Sequence, residues 1–552
     1  MSPAPSATSW NFMVCDSLEK VFIDAPPRPM NAAIGFSVFL GESADFQLAF
    51  NVPDDAGPAD VEVCVDETSS NACVLREVVA VPCQAVSQKF DAHYLKTDTG
   101  RYPDLLRPLE HGRVKAASPG WHSVWVEMRT NAISEAGPRP VTVTASVGGE
   151  VAFEQTVLIN VLPRHLPDLP IEHTQWFHLD ALADYYDVPV FSEEHWRIIE
   201  RFMASAERLG VNTMLTPVWT PPLDTAVGSY RTPVQLVDIT KTDGRWSFEF
   251  SRLRRWIELC RSHGIVTLEI AHLFSQWGAT ATPAIYATVD GQMRRIFGWD
   301  VPADDPRYQD FLSALIPCLV EMLSEEWNLT RVCFHISDEP HGDEQRASYR
   351  KARAIVAPLL RGLRVVDALS DIEFYTEGLV RTPVVANNAI SPFLKASADP
   401  LWTYYCVAQQ QEVSNRFITL PSVRNRILAP QIFKENVRGF LHWGFNFYYS
   451  ELSASLIDPF HDTTAGGAFP GGDSFIVYPG DGGIPLESIR YRVLANAMND
   501  LKAMALLESL RGRAAVLQLI DPDGSLTFDH FNYDADEYRR MRERINAAIT
   551  SD

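Results

Sequence analysis

Over the first 163 residues, short runs of β-formers alternate with turn signals, as in Asp45-Phe-Gln-Leu-Ala-Phe-Asn-Val52, Val61-Glu-Val-Cys-Val65 and Trp121-His-Ser-Val-Trp-Val-Glu-Met128. The runs at 141–147 and 151–161 flank Gly148-Gly149, and paired glycines supply the positive φ of a tight hairpin turn. This segment reads as an all-β sandwich. Leu162-Pro-Arg-His-Leu-Pro-Asp-Leu-Pro170 is dense in proline, which suits a stiff linker and predicts a sandwich domain at 1–163 and a second domain at 171–552.

Past the linker, strand-like runs alternate with helical ones. Strands are predicted at 174–178, 213–217, 266–272, 331–337, 364–369, 383–387, 401–406 and 439–443. Apolar residues recur at helical spacing over 193–209, 253–263, 308–323 and 344–360. Eight strands with helices between most of them predict an α/β fold, a (β/α)8 barrel of the TIM type. An open doubly wound sheet is the alternative, but no Gly-rich dinucleotide fingerprint follows any strand. The tail reads as a strand pair, 515–520 and 525–528, followed by an amphipathic helix ending near Ile549.

Composition narrows the function. A chain of 552 residues with 46% hydrophobic and 21% charged positions exceeds one core and has ample material for two. Its 48 basic against 70 acidic side chains give a net charge of -22, the wrong sign for gripping nucleic acid or an anionic membrane. Met1–Trp10 has neither a basic segment nor an apolar run, so a cytoplasmic location is expected. The eight cysteines include no CxxC and have mostly apolar neighbours, which predicts buried free thiols; a zinc or disulfide framework is the alternative.

In a barrel the chemistry sits at the C-terminal ends of the strands. There the sequence offers Trp176 and His178, Trp219, His272 with Trp277, Asp338-Glu339, Asn387-Asn388, Tyr404-Tyr405, and His442-Trp443 with Asn446. Carboxylates among aromatics suit a sugar, whose apolar faces stack while its hydroxyls need polar partners. Asp-Glu also occurs at 66–67, 343–344 and 536–537, so the dipeptide alone means little. The pair at 338–339 differs in ending an apolar strand just before Pro340. It is either a catalytic pair or a loop cap. Glycoside cleavage usually uses two carboxyls flanking the bond; with a 2-acetamido sugar, the substrate's own carbonyl can attack while one acid orients it and the other protonates the leaving oxygen.

Taken together, His272-Leu-Phe-Ser-Gln-Trp-Gly278, Ile296-Phe-Gly-Trp299, Phe334-His-Ile-Ser-Asp-Glu-Pro-His341, Gly439-Phe-Leu-His-Trp-Gly-Phe-Asn446, Tyr478-Pro-Gly480 and Pro485-Leu-Glu-Ser-Ile-Arg490 resemble the bacterial domain of unknown function 4091, the catalytic barrel of glycoside hydrolase family 123. The likeness covers roughly residues 170–550, and Tyr491–Asp500 departs from the family's usual acidic stretch. The resemblance implies a retaining, exo-acting β-N-acetylgalactosaminidase. Asp338 would hold the acetamido group, Glu339 would be the acid/base, and Tyr404 or Tyr405 would support the acetamido carbonyl. It implies an oligosaccharide or glycoconjugate substrate and no cofactor.

Bland readings stand beside these. The four tryptophans can be core, His335 a satisfied core histidine, and Asn446 a helix cap. Asp473 and Asp481 can be turn formers. No HExxH or paired-histidine spacing supports a metal. Two rival functions remain: a hydrolase of non-acetamido sugars with Glu269 or Asp180 as nucleophile, and a carbohydrate-binding protein without turnover.

Overall fold

The computed structural model describes residues 10–66, 71–84, 87–116, 118–133 and 135–551. Residues 1–9, on which the reading of the N-terminal stretch rests, and Glu67 of the first Asp-Glu dipeptide lie outside them. The chain forms two compact units: residues 171–409 with 435–485, and residues up to 170 with 410–434 and 486–552.

The first of these is the barrel. Its strands are β1 (Glu172–Gln175), β2 (Thr213–Thr216), β3 (Thr267–Ile270), β4 (Val332–Phe334), β5 (Arg364–Leu369), β6 (Thr382–Ala386), β7 (Trp402–Tyr404) and β8 (Gly439–His442). All neighbours pair in parallel, and β8 closes onto β1. Every predicted barrel strand is present, most of them shorter than the apolar run that announced it; β4 ends at Phe334 rather than at Ser337. Helices Glu193–Arg208, Ser251–Ser262, Pro306–Glu326 and Gly342–Val356 occupy the predicted stretches. Their starts have local causes: Ser192 Oγ accepts from the His195 amide, and Asp305 caps a helix with Pro306 in its first turn.

Leu215, Cys333, Val366, Ala368, Val384, Ala386, Trp402, Tyr404 and Leu441 form one buried cluster with Trp176. Trp402 lies against Gly439, opposite it on β8, where a Cβ would overlap the indole. Outside the barrel, the connections after β2 and β3 build a four-stranded sheet from Asp238–Thr242, Arg245–Glu249, Ile285–Val289 and Gln292–Phe297. It has no counterpart among the sequence expectations.

The other unit contains two five-stranded sheets whose inward residues share one core, among them Phe46, Leu48 and Val126 from one sheet and Val61, Val143 and Ile159 from the other. This is the expected sandwich. The hairpin Gly137–Val147 to Glu150–His165 turns on Gly148 and Gly149 at φ 62° and 86°, and its second strand runs past the expected end at 161 into the stretch expected as linker. The helices Ile489–Arg511, Arg513–Ile520 and Ala535–Thr550 gather with these sheets. Residues 515–520 are therefore helical, not a strand, and 525–528 form no strand either. A short apolar run carries no period that separates the two states, and packing decides. Buried ion pairs tie the helices to the sheets: Arg490 to Asp104 at 2.8 Å, Arg492 to Asp45 and Glu127 at 3.0 Å, and Arg542 to Glu42 at 2.6 Å.

None of the eight cysteines is in a disulfide, but Cys64 and Cys318 are exposed, against the expectation of burial. Cys318 sits on the outer face of its helix while its neighbours Ile316 and Leu319 turn inward. Among the described residues no helix is long and apolar enough to cross a membrane.

Candidate active site

A cavity of about 200 Å³ opens where the barrel strands end, the face at which a barrel of this type carries its chemistry. Trp176 enters it after β1, Leu223 and Asp224 after β2, Gln276 and Trp277 after β3, and Asp338 and Glu339 after β4. Ala368 comes from β5, Tyr404 and residues 406–408 from the end of β7, Leu441 and Trp443 from the end of β8, and Phe469 from a later loop. The strand ends thus deliver an adjacent carboxyl pair into a wall of aromatic and aliphatic side chains.

The backbone that presents these groups is unusual. Asp224, Trp277 and Glu339 have φ of 40°, 57° and 41°, a left-handed region that residues with a Cβ rarely occupy. Past β4 the chain has left the alternation of a strand, so Asp338 and Glu339 both face the cavity. The Trp277 amide donates to the Asp338 carbonyl at 2.8 Å, tying the rim tryptophan to the pair.

Burial raises both carboxyls above the usual carboxylate range, and at Asp338 the like charge of Glu339 adds to the rise. At Glu339 the rise is opposed first by the Tyr404 hydroxyl, which donates to its Oε1 at 2.5 Å, and then by the charge of His341. Asp224 is a third carboxyl on the wall. Burial pushes it up to about 6, against the Leu452 amide that donates to its Oδ2 at 3.0 Å.

Of the residues expected from sequence, Asp338, Glu339, Trp176, Trp277, Tyr404 and Trp443 line the cavity. Trp443 is aimed by Asp473, whose buried carboxylate accepts its indole N–H at 2.8 Å, so Asp473 does more than form a turn. The others stand behind the wall. His178 accepts at Nδ1 from Arg231 at 3.0 Å, which leaves Nε2–H to donate to the Trp443 carbonyl at 2.8 Å; burial and the guanidinium keep this ring neutral, with its pKa lowered to about 3. Asn446 holds the His178 main chain at both its N–H and its C=O, at 2.9 and 3.0 Å. Trp219 donates to the His272 carbonyl at 2.9 Å and packs near Phe311. Tyr405, next to Tyr404 and so facing the other way, packs on Phe440 and His442. His442 accepts the Gly444 amide at 3.0 Å, and His272 is fully buried. None of these six is on the cavity wall.

Neither rival nucleophile reaches the wall. Glu269 is fully buried and accepts from Thr174, Trp176 and His335, while Asp180 is clamped by Arg231 at 2.6 and 2.7 Å. Gln276, which precedes Trp277 after β3, lines the cavity with it, whereas Asp224, Cys406 and Phe469 were not anticipated; they lie in loops beyond strand ends, where no periodicity marks them. Among the described residues no group of three or more His, Cys, Asp or Glu side chains is arranged to hold a metal ion.

Comparison with known proteins bears on what such a cavity does. The family model for the glycoside hydrolase 123 catalytic domain matches residues 176–507. A family 123 glycoside hydrolase from Clostridium perfringens, solved in work on glycolipid glycan hydrolysis, shares the fold. It has a TM-score of 0.72 at 11% identity, over 98% of this chain and 97% of that one. A family 39 glycoside hydrolase from Bacteroides cellulosilyticus aligns at a TM-score of only 0.35 and 10% identity, over 87% and 83% of the two chains. No curated protein matches the chain. Since the matched span takes in every strand end that lines the cavity from Trp176 to Phe469, the chain belongs to glycoside hydrolase family 123, with its barrel as the catalytic domain.

Proposed function

We propose that the protein is a retaining exo-glycosidase that releases a terminal β-linked 2-acetamido sugar, N-acetylgalactosamine foremost, with the sugar's own acetamido oxygen as nucleophile. One observation carries this reading: two adjacent carboxyls share the cavity wall, while the two carboxylates expected from sequence as conventional nucleophiles, Glu269 and Asp180, are buried and engaged behind it; the third carboxyl on the wall, Asp224, is held by the Leu452 amide. Aromatic faces at Trp176, Trp277 and Trp443 suit a pyranose.

In the proposed sequence, the Asp338 carboxylate accepts the acetamido N–H and turns the carbonyl oxygen toward the anomeric carbon. That oxygen bonds to the carbon as the glycosidic C–O bond breaks, and Glu339 gives its proton to the departing oxygen. Water then attacks the cyclised sugar, Glu339 takes the water's proton, and the free sugar leaves with its configuration retained. The task needs one neutral and one ionised carboxyl, a division that two buried acids side by side favour. The Tyr404 hydroxyl, which serves Glu339 in the free enzyme, can turn to the acetamido oxygen on binding. Glu339 then loses the donor that favoured its anion and keeps its proton.

The test is hydrolysis of aryl β-glycosides of N-acetylgalactosamine, N-acetylglucosamine and their non-acetamido parents by wild type, Asp338→Asn and Glu339→Gln. Turnover confined to acetamido sugars and lowered by about 10²–10⁴ in both variants supports the reading. Activity on the parents, or survival in Asp338→Asn, refutes it.

A further inference from the structure

Beneath the carboxyl pair lies a group of buried charges that the proposed reaction does not use. His335, directly after β4, is fully buried between two carboxylates that are equally buried. Its Nε2 is 2.6 Å from Glu269 Oε1 on β3, and its Nδ1 is 3.3 Å from Asp367 Oδ1 on β5. Nε2 is hydrogen-bonded to Glu269 and Nδ1 faces Asp367 at ion-pair distance, so a carboxylate stands at each nitrogen and the arrangement favours the imidazolium. Burial works against that charge, but Asp367 and Glu269 outweigh it and push the ring up to about 9. His272 stacks on His335 with centroids 4.3 Å apart and planes 22° apart; burial and the adjacent cation hold it neutral. The edge of Trp176 closes the group.

Asp367 has a second task. Its Oδ1 accepts the amides of Ile336 at 2.9 Å and Ser337 at 3.3 Å, and its other oxygen accepts the Tyr349 hydroxyl. Ser337 Oγ donates to the Ser275 carbonyl at 2.8 Å, and the Trp277 amide holds the Asp338 carbonyl. Each residue from His335 to Asp338 is therefore tied down, and the first three of those ties involve Asp367. The charges of Glu339, Asp367 and Asp224 add to the rise at Asp338, and that of His335, three residues before it in the chain, opposes it.

We propose that Asp367, His335 and Glu269 form a positioning unit for the pair: Asp367 fixes the backbone that delivers Asp338, and the His335 imidazolium is the charge against which Asp338 ionises while Glu339 keeps its proton. This rests on Asp338 and Glu339 being the catalytic pair, a reading whose own failure would appear separately as activity surviving Asp338→Asn and Glu339→Gln.

Two measurements test the unit. The first is ¹⁵N NMR of the full chain with labelled histidine, with His335 assigned by its loss in His335→Gln. Both ring nitrogens should be protonated throughout the neutral range; a neutral His335 ring at neutral pH overturns the proposal, and this readout needs no variant to be active. The second is the pH profile of kcat/KM for wild type, His335→Gln and Asp367→Asn, with thermal midpoints recorded. Loss of the cation should move the acid limb upward by about 1–3 units. Loss of the Asp367 carboxylate should lower kcat by on the order of a hundredfold with KM little changed, as displacement of a reacting group does. Folded variants whose acid limb stays in place and whose kcat is unchanged would show a merely structural unit and overturn the proposal.

Discussion

Tyr404→Phe removes one hydroxyl and little else. The side chain is nearly buried, at 4% exposure, and its O–H donates to Glu339 Oε1 at 2.5 Å. A hydrogen bond to a charged partner is worth about 1.5–3 kcal/mol, and one pKa unit corresponds to about 1.4 kcal/mol; the bond favours the ionised form and so holds Glu339 down. The cavity admits water, which replaces part of what is lost, and the lower end of that range is the one expected. The sign follows from which form the bond favours. It favours the carboxylate, so its removal raises the Glu339 pKa, and a general acid that stays protonated to higher pH keeps working to higher pH. The basic limb of kcat/KM, which reports the free enzyme, should move up by about one unit. The plateau should fall as well, because no hydroxyl remains to meet the acetamido oxygen. The assay is steady-state hydrolysis of an aryl β-N-acetylgalactosaminide across the acidic to mildly basic range, for wild type and variant in parallel. A basic limb that stays in place or moves down would refute both the assignment of Glu339 as acid and the role given to Tyr404.

Arg490→Ala strips Asp104 of a fully buried, two-pronged guanidinium partner with both contacts at 2.8 Å, and urea unfolding should register a loss of about 3–5 kcal/mol; a loss of less than about 1 kcal/mol would mean that the pair is dispensable. Gly439→Ala drives a methyl group into the Trp402 indole and should cost about 1–3 kcal/mol, in a thermal melt that Trp402→Leu in the same chain partly restores. Additive losses in that double variant would contradict the overlap.

The barrel was legible because each of its strands is a short apolar run bounded by helical periodicity, a contrast that survives errors of a few residues at the ends. The small sheet was missed although its signals were present: Asp243-Gly244 and Asp290-Gly291 each turn a hairpin with both φ positive, and Asp-Gly between β-formers is among the strongest short-range hairpin cues. At the site, residues next to a strand end could be nominated, but not which way they face. Trp176 and Trp219 look equivalent in sequence, yet one lines the cavity and the other packs behind it. Asp367 had a faint mark, an acid inside the apolar run Arg364-Val-Val-Asp-Ala-Leu369. What gives it meaning is His335, 32 positions earlier in sequence, and no periodicity links the two.

The ion pairs of the sandwich unit bear on how the chain is made. Glu42, Asp45 and Asp104 are buried in the sandwich, while the arginines that neutralise them, Arg542, Arg492 and Arg490, come from the last part of the chain. Asp104 and Arg490 are 386 residues apart, and at about 5–20 residues per second the acid waits roughly 20–80 s on the ribosome for its partner. During that interval the nascent sandwich carries acids that cannot yet be buried at low cost, and it stays open at the face that the late helices will cover. Of the two units, the sandwich is begun before the barrel and completed after it, so the barrel residues emerge while the sandwich still lacks its late helices.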